Sequence, residues 1–168
     1  MPAIDPELPP SSFRRSLTKV ALSAPGTWFY SRIAARIDPW LARATRGRVT
    51  SAMGMLPIVL LTARGARSGL ERTVALVYFT DGEDVILIAS SFGRPSYPAW
   101  YHNLKANPEA RLEAMGRAGR YVAREVEGAE RERLYDLAKR LYSGYGDYEQ
   151  RASGIRHVPV LRLSSSEQ

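Results

Sequence analysis

Cysteine is absent from the 168 residues. Disulfides, thiolate zinc sites, iron–sulfur clusters and a cysteine nucleophile are therefore excluded. Histidine is almost absent: His102 and His157 are the only two, too few for a histidine-rich centre, and no metal is expected. A Ser-His-Asp triad would have to recruit one of them, and no serine sits in a G-x-S-x-G elbow. Lysine is scarce too. Only Lys19, Lys105 and Lys139 appear among 24 basic residues, so positive charge is carried almost wholly by guanidinium groups. No apolar run reaches the length needed to span a bilayer. The start, Met1-Pro2-Ala3-Ile4-Asp5, lacks the basic segment and apolar core of a secretory signal. A cytoplasmic location is expected, with peripheral contact to the inner face of the cell membrane left open.

What is present is an ordinary globular composition, 45% hydrophobic and 24% charged, in a chain of one-domain size. The net charge of +7 favours an anionic partner: nucleic acid, an anionic membrane surface or a polyanionic small molecule. Residues 1–50 hold eight basic groups against three acidic ones, so most of the surplus sits there. Within that stretch Tyr30, Ile33, Ile37, Leu41 and Ala44 recur at helical spacing, and Asp38-Pro39 reads as a cap and helix start. Residues 1–46 are thus expected to form a basic amphipathic leader. Its apolar stripe, with Trp28, Phe29 and Trp40, suits either an anionic bilayer or the domain behind it. Nucleic acid is not expected, because the basic groups concentrate in the leader instead of alternating with aromatics along strands.

Residues 47–168 read as a second unit, rich in strands. Runs at 57–62, 73–79, 85–90, 110–115, 121–126 and 158–163 are short, apolar and rich in Val, Leu and aromatics. Turn signals at 80–83 and 116–119 join neighbours into hairpins. A short helix is expected over 98–106, and a longer one begins near Gly128 with Leu134, Leu137, Ala138, Leu141 and Tyr142 on one face. Adjacent hairpins with few crossover helices point to a six-stranded antiparallel β-barrel with flanking helices, of mainly β or α+β class.

Three segments could carry chemistry. The first, 62–72, joins two strands and offers Arg67, Ser68 and Arg72 beside Gly65 and Gly69. Planar guanidinium forks and a hydroxyl suit phosphate or carboxylate, although the loop is no P-loop. The second, 89–104, leaves a strand, crosses a Ser/Gly/Pro loop and enters an aromatic helix, a setting fit for a planar heterocycle. Trp100 in it also suits plain core packing. The third, 142–148, places Tyr142, Tyr145 and Tyr148 at intervals of three along an irregular helix end. A nucleic-acid-binding barrel, a lipid or quinone carrier and a redox enzyme all remain open from these residues alone.

In order and spacing these segments resemble the deazaflavin-dependent nitroreductases of actinobacteria, members of the flavin/deazaflavin split β-barrel oxidoreductases. The landmarks are LLTARGARSG at 60–69, DGEDVILIASS at 81–91, PAWYHNLKANP at 98–108, YSGYGDYEQR at 142–151 and VPVL at 158–161. The resemblance implies a split barrel binding coenzyme F-420, whose phosphate and oligoglutamate tail are anionic. It implies that Arg67, Ser68 and Arg72 hold the phosphate end and that Ala66 beside them binds the cofactor. Thr73, Val74, Ala75, Leu76, Val77, Ala89, Ser90 and Ser91 would line the ring, and Ala99, Trp100, Tyr101, His102 and Asn103 would contribute from the helix. Tyr145 and Ser90 would be catalytic, and Val77, Tyr142, Tyr145 and Tyr148 would border an apolar acceptor such as a quinone, nitroaromatic or enone. An FMN- or haem-binding barrel is the alternative. The chain departs from the family pattern at Ala75, Val77 and Phe92.

Overall fold

The computed structural model describes residues 1–3 and 57–166. The amphipathic pattern of the leader, residues 4–46, lies outside the described residues. Six strands follow: β1 (Ile58–Arg64), β2 (Glu71–Asp81), β3 (Asp84–Ile88), β4 (Glu109–Ala114), β5 (Arg117–Val126) and β6 (Val160–Ser165). All their pairings are antiparallel, and the order β1-β2-β3-β6-β5-β4 closes on itself as a barrel. β3 meets β2 only along Tyr78–Asp81, so Glu71–Val77 pair with β1 alone. Leu61 shows how the ring closes, standing opposite Val74 of β2 on one side and Leu112 of β4 on the other.

Strand alternation sends side chains to two separate cores. Inside the barrel lie Val59, Leu61, Tyr78, Val85, Leu87, Leu112, Leu161 and Leu163. Outside it, Phe79, Ile86, Ile88 and Val160 meet the helices. β3 reads as an unbroken apolar run because both its faces are covered. Among the described residues three α-helices flank the barrel: α1 (Ala99–Ala106), α2 (Gly128–Leu141) and α3 (Gly144–Ala152). α2 supplies Leu134, Tyr135 and Ala138 to the outer core, and α3 supplies Tyr145, Tyr148 and Ala152.

Two expectations change in detail. The hairpin placed at 116–119 is a two-residue turn at Met115-Gly116, with positive φ at both residues, and Gly119 pairs with Leu112 inside the ladder. The irregular helix end at 142–148 is a break followed by a separate helix. Gly144 permits it, because a Cβ there would stand 2.6 Å from the Tyr142 ring. Among the described residues no helix is long and apolar enough to cross a membrane.

Candidate active site

One end of the barrel opens into a cavity of about 890 Å³. Its floor is apolar: Leu61 and Ala63 of β1, Val74 of β2 and Trp100 of α1. Its rim is formed by Ala66, Arg67 and Ser68 of the β1–β2 connection and by Arg72 at the start of β2. That loop holds itself shut. Gly65 N–H donates to Leu70 O at 2.8 Å, and Gly69 N–H donates to Gly65 O at 2.8 Å. Gly69 takes φ +67°, a left-handed value that favours glycine, while a Cβ on Gly65 would lie 2.7 Å from Ser68 Oγ. Asn103 on α1 then pins the loop to the helix, its Oδ1 accepting the Ala66 N–H at 3.0 Å.

The charge at this rim is uncompensated. Neither Arg67 nor Arg72 pairs with a carboxylate among the described residues, and both are exposed. Two permanent cations over an apolar floor suit a flat, largely apolar ligand with an anionic end.

The structure gathers nine expected cofactor residues at one cavity: Ala66, Arg67, Ser68, Arg72, Val74, Ala99, Trp100, His102 and Asn103. Others stand elsewhere. Tyr78 points inward and Phe79 outward, so Thr73, Ala75 and Val77 share the outer face of β2. Thr73 bonds across that face, its Oγ1 lying 2.8 Å from Thr62 Oγ1. Leu76 packs on the inner core, as Val74 does. Ala89 is fully buried in the same core. Tyr101 is buried as well, its hydroxyl donated to Glu125 at 2.9 Å; burial first and that carboxylate second push the phenol up to about 12.

Ser90 and Ser91 lie on the loop after β3, where Ser91 and Phe92 adopt φ +50° and +58°. Sequence reasoning missed the group that holds this loop. Arg156 donates to Ser90 O at 2.7 Å, Arg94 O at 2.9 Å and Ala89 O at 3.4 Å. Its isolated position in a 153–159 linker gave no pattern to notice. Tyr97 was missed too, although it lines the cavity.

The three tyrosines of the 142–148 segment do not reach this cavity. Tyr145 and Tyr148 belong to the outer core, with Tyr142 packed against it. Tyr142 and Tyr148 hydroxyls lie 3.1 Å apart, and Tyr135 donates to Tyr145 O at 2.9 Å. Burial pushes the phenols of Tyr135, Tyr142 and Tyr148 above their ordinary value. The break before α3 turns these rings toward α2 instead of the barrel end. Phe92 joins them, its ring edge-on to Tyr148 at 5.7 Å.

Residues 34–164 match the family described as F420H(2)-dependent quinone reductase. The chain belongs to that family. An F420H(2)-dependent quinone reductase of Mycobacterium tuberculosis is 32% identical over 133 residues, covering 77% of this chain and 88% of the relative. A solved F420-H2 dependent reductase is 37% identical, with a TM-score of 0.59 over 64% of this chain and 94% of its own. Another solved chain, described as a domain-swapped dimer, is 31% identical with a TM-score of 0.61, covering 84% and 100%. A haem storage protein of Vibrio cholerae, at 12% identity and TM-score 0.51, shares the fold alone. As a member of the quinone reductase family the protein is a deazaflavin-dependent oxidoreductase, and its cofactor is reduced coenzyme F-420.

Proposed function

We propose that this member of the family reduces a quinone in the cavity at the barrel end, using reduced F-420 held by Arg67, Ser68 and Arg72. The observation that carries the reading is the pair of unpaired guanidinium groups above an apolar floor. The residues fit the group. Phosphate and glutamate carboxylates match the Arg67 and Arg72 forks, and Leu61, Ala63, Val74 and Trp100 offer the flat apolar contact a tricyclic ring needs. When bound, the reduced deazaflavin supplies a hydride from its central ring.

The protein's own part is placement and dryness. Asn103 fixes the loop against α1, so the cations are set before the ligand arrives. The buried floor at Leu61 and Ala63 keeps water from the reacting face. Arg156 and the edge-on Phe92–Tyr148 contact fix the 90–93 turn, so Ser90 and the tyrosine cluster around Tyr145 have a structural part. A quinone is favoured over nitroaromatics or enones because the family and the mycobacterial relative are quinone reductases by description. The amphipathic pattern of the leader suits a lipid-soluble quinone met at a membrane surface.

Fluorescence titration of the purified full chain with F-420, FMN and haem tests the cofactor. Saturable binding of F-420 with none of FMN or haem is expected; preference for FMN or haem would remove the reading. Oxidation of the reduced cofactor by soluble quinones, nitroaromatics and enones then ranks the acceptors, with quinones expected first.

A further inference from the structure

A quinone that gains a hydride also needs a proton, and Tyr145 is not at the cavity to give one. Tyr97 is. Its hydroxyl lies 3.2 Å from His157 Nδ1, and His157 Nε2 lies 3.2 Å from Glu125 Oε1. Glu125 is the hub of a cluster, accepting from Lys105 Nζ at 3.0 Å and from the Tyr101 hydroxyl at 2.9 Å through its other oxygen. A second cavity, of about 480 Å³, is lined by Glu125, Arg156 and His157 among others. One hydrogen-bonded chain, Tyr97–His157–Glu125, therefore joins the two cavities. Its members come from three separate places in the sequence: the approach to α1, the 153–159 linker and β5.

Resting on the proposed function, we propose that Tyr97 delivers the proton accompanying hydride transfer, and that His157, held by Glu125, replaces it from solvent through the second cavity. The balance is simple. The acceptor gains two electrons and one hydrogen as hydride from the reduced deazaflavin, which is oxidised. An acceptor oxygen takes the Tyr97 proton, and the Tyr97 oxygen takes the Nδ1 proton of His157. Neutral His157 keeps its Nε2 proton on Glu125 and is reprotonated by solvent, for its side chain is 62% exposed.

The state of His157 decides whether Tyr97 can act. When His157 is neutral with Nε2–H on Glu125, Nδ1 accepts the Tyr97 hydroxyl, and that proton points away from the cavity. When protonated, His157 donates from both nitrogens and frees the Tyr97 hydrogen to turn inward. Other charges face this chain. The Arg156 guanidinium lies 4.8 Å from the Tyr97 ring centre, where it offsets charge left on the phenol oxygen, and His102 meets the same ring edge-on at 5.9 Å. Lys105 stands beyond Glu125, and Glu127, Arg131 and Glu149 surround the second cavity. Turnover through Tyr97 should thus require the doubly protonated ring of His157.

The test uses the full-length protein and its Tyr97→Phe and His157→Gln variants. Cofactor affinity is read by F-420 fluorescence, and turnover with a soluble benzoquinone is read across pH in H2O and D2O. Expected are near-normal affinity, a fall in kcat of about tenfold or more in both variants, and loss of the alkaline limb in His157→Gln. In the cofactor-free protein, the 15N chemical shifts of the His157 ring should change in Tyr97→Phe and again in Glu125→Gln, because each variant removes one of its two hydrogen bonds. Unchanged kcat and pH profile in a Tyr97→Phe protein that binds F-420 normally would overturn the relay alone. Unchanged His157 ring shifts in both variants would do the same. Failure of the unaltered protein to bind F-420 would instead overturn the proposed function beneath it. Should Tyr97→Phe not fold, His157→Gln, whose side chain is exposed, decides the matter: an alkaline limb that persists there overturns the relay.

Discussion

At the scale of the residue, the arginines of the cavity rim matter most. Arg67 and Arg72 reach an exposed rim without a described acidic partner, so their charge is available to a ligand and contributes little to folding. Each charge-assisted contact is worth roughly 1.5–3 kcal/mol, or about ten- to a hundredfold in affinity. Arg67→Ala and Arg72→Ala should each weaken F-420 binding by that factor, with melting temperature unmoved. Isothermal titration and thermal denaturation check both statements. Unchanged affinity in the double variant would take these residues out of the site. Arg156 shows the opposite use of the same side chain: its forks are spent on three loop carbonyls and on His157 O. Arg156→Ala should loosen the 90–93 turn, which hydrogen exchange would report there as faster amide exchange.

At the scale of the element, the β1–β2 loop is a preformed cradle whose shape depends on Gly65. Gly65→Ala would drive a methyl group to 2.7 Å from Ser68 Oγ and 3.1 Å from Leu70 O. The loop must open to admit it, so cofactor affinity should drop while barrel stability changes little. A crystal structure or titration of that variant decides. α2 has a different task. Leu134 and Tyr135 fill the outer core, almost fully buried, and carry no part of the cavity. Leu134→Ala should cost about 2–5 kcal/mol of stability by chemical denaturation and leave affinity for F-420 intact in the folded fraction.

At the scale of the whole molecule, one ionic cluster ties the β2–β3 turn, β6 and α2 together. Arg162 points outward from β6, 9% exposed, and donates to Asp81, Asp84 and Glu130. Arg133 and Arg124 complete the set through Asp81 and Glu130. Hydrogen bonds from Arg133, opposed by burial and reinforced by Arg162, hold the Asp81 carboxyl at about 2, below its ordinary 3.8. A lowered folded value means stability that is whole above the unfolded value and is lost as pH falls toward 2. Urea midpoints should therefore decline below about pH 4, and Asp81→Asn should lower the midpoint at neutral pH while flattening that decline. Removing Arg162 leaves Asp84 without its arginine while Asp81 and Glu130 keep Arg133 and Arg124; Arg162→Met should lower the urea midpoint near neutrality and lower it less in acid.

The sequence alone carried the six strands, their antiparallel pairing and the arginine loop. Period-two alternation, turn residues and a cluster of guanidinium groups are local signals, each written within a dozen residues. PAWYHNLKANP carried the family resemblance, while the Asn103–Ala66 bond that joins α1 to the loop came only from the structure. What the sequence could not carry is which face each side chain takes once the sheet closes. Val74 and Val77 look alike on paper, yet closure turns one into the cavity and the other outward. The tyrosines of 142–148 looked like a site because of their spacing, whereas the break at Gly144 turns them into the outer core. Tyr97, Glu125, Arg156 and His157 gave no motif, because nearly all their partners stand 20 to 67 residues away along the chain. Only the closed barrel brings such distant residues within hydrogen-bonding reach, since proximity across strands is set by register and not by sequence distance.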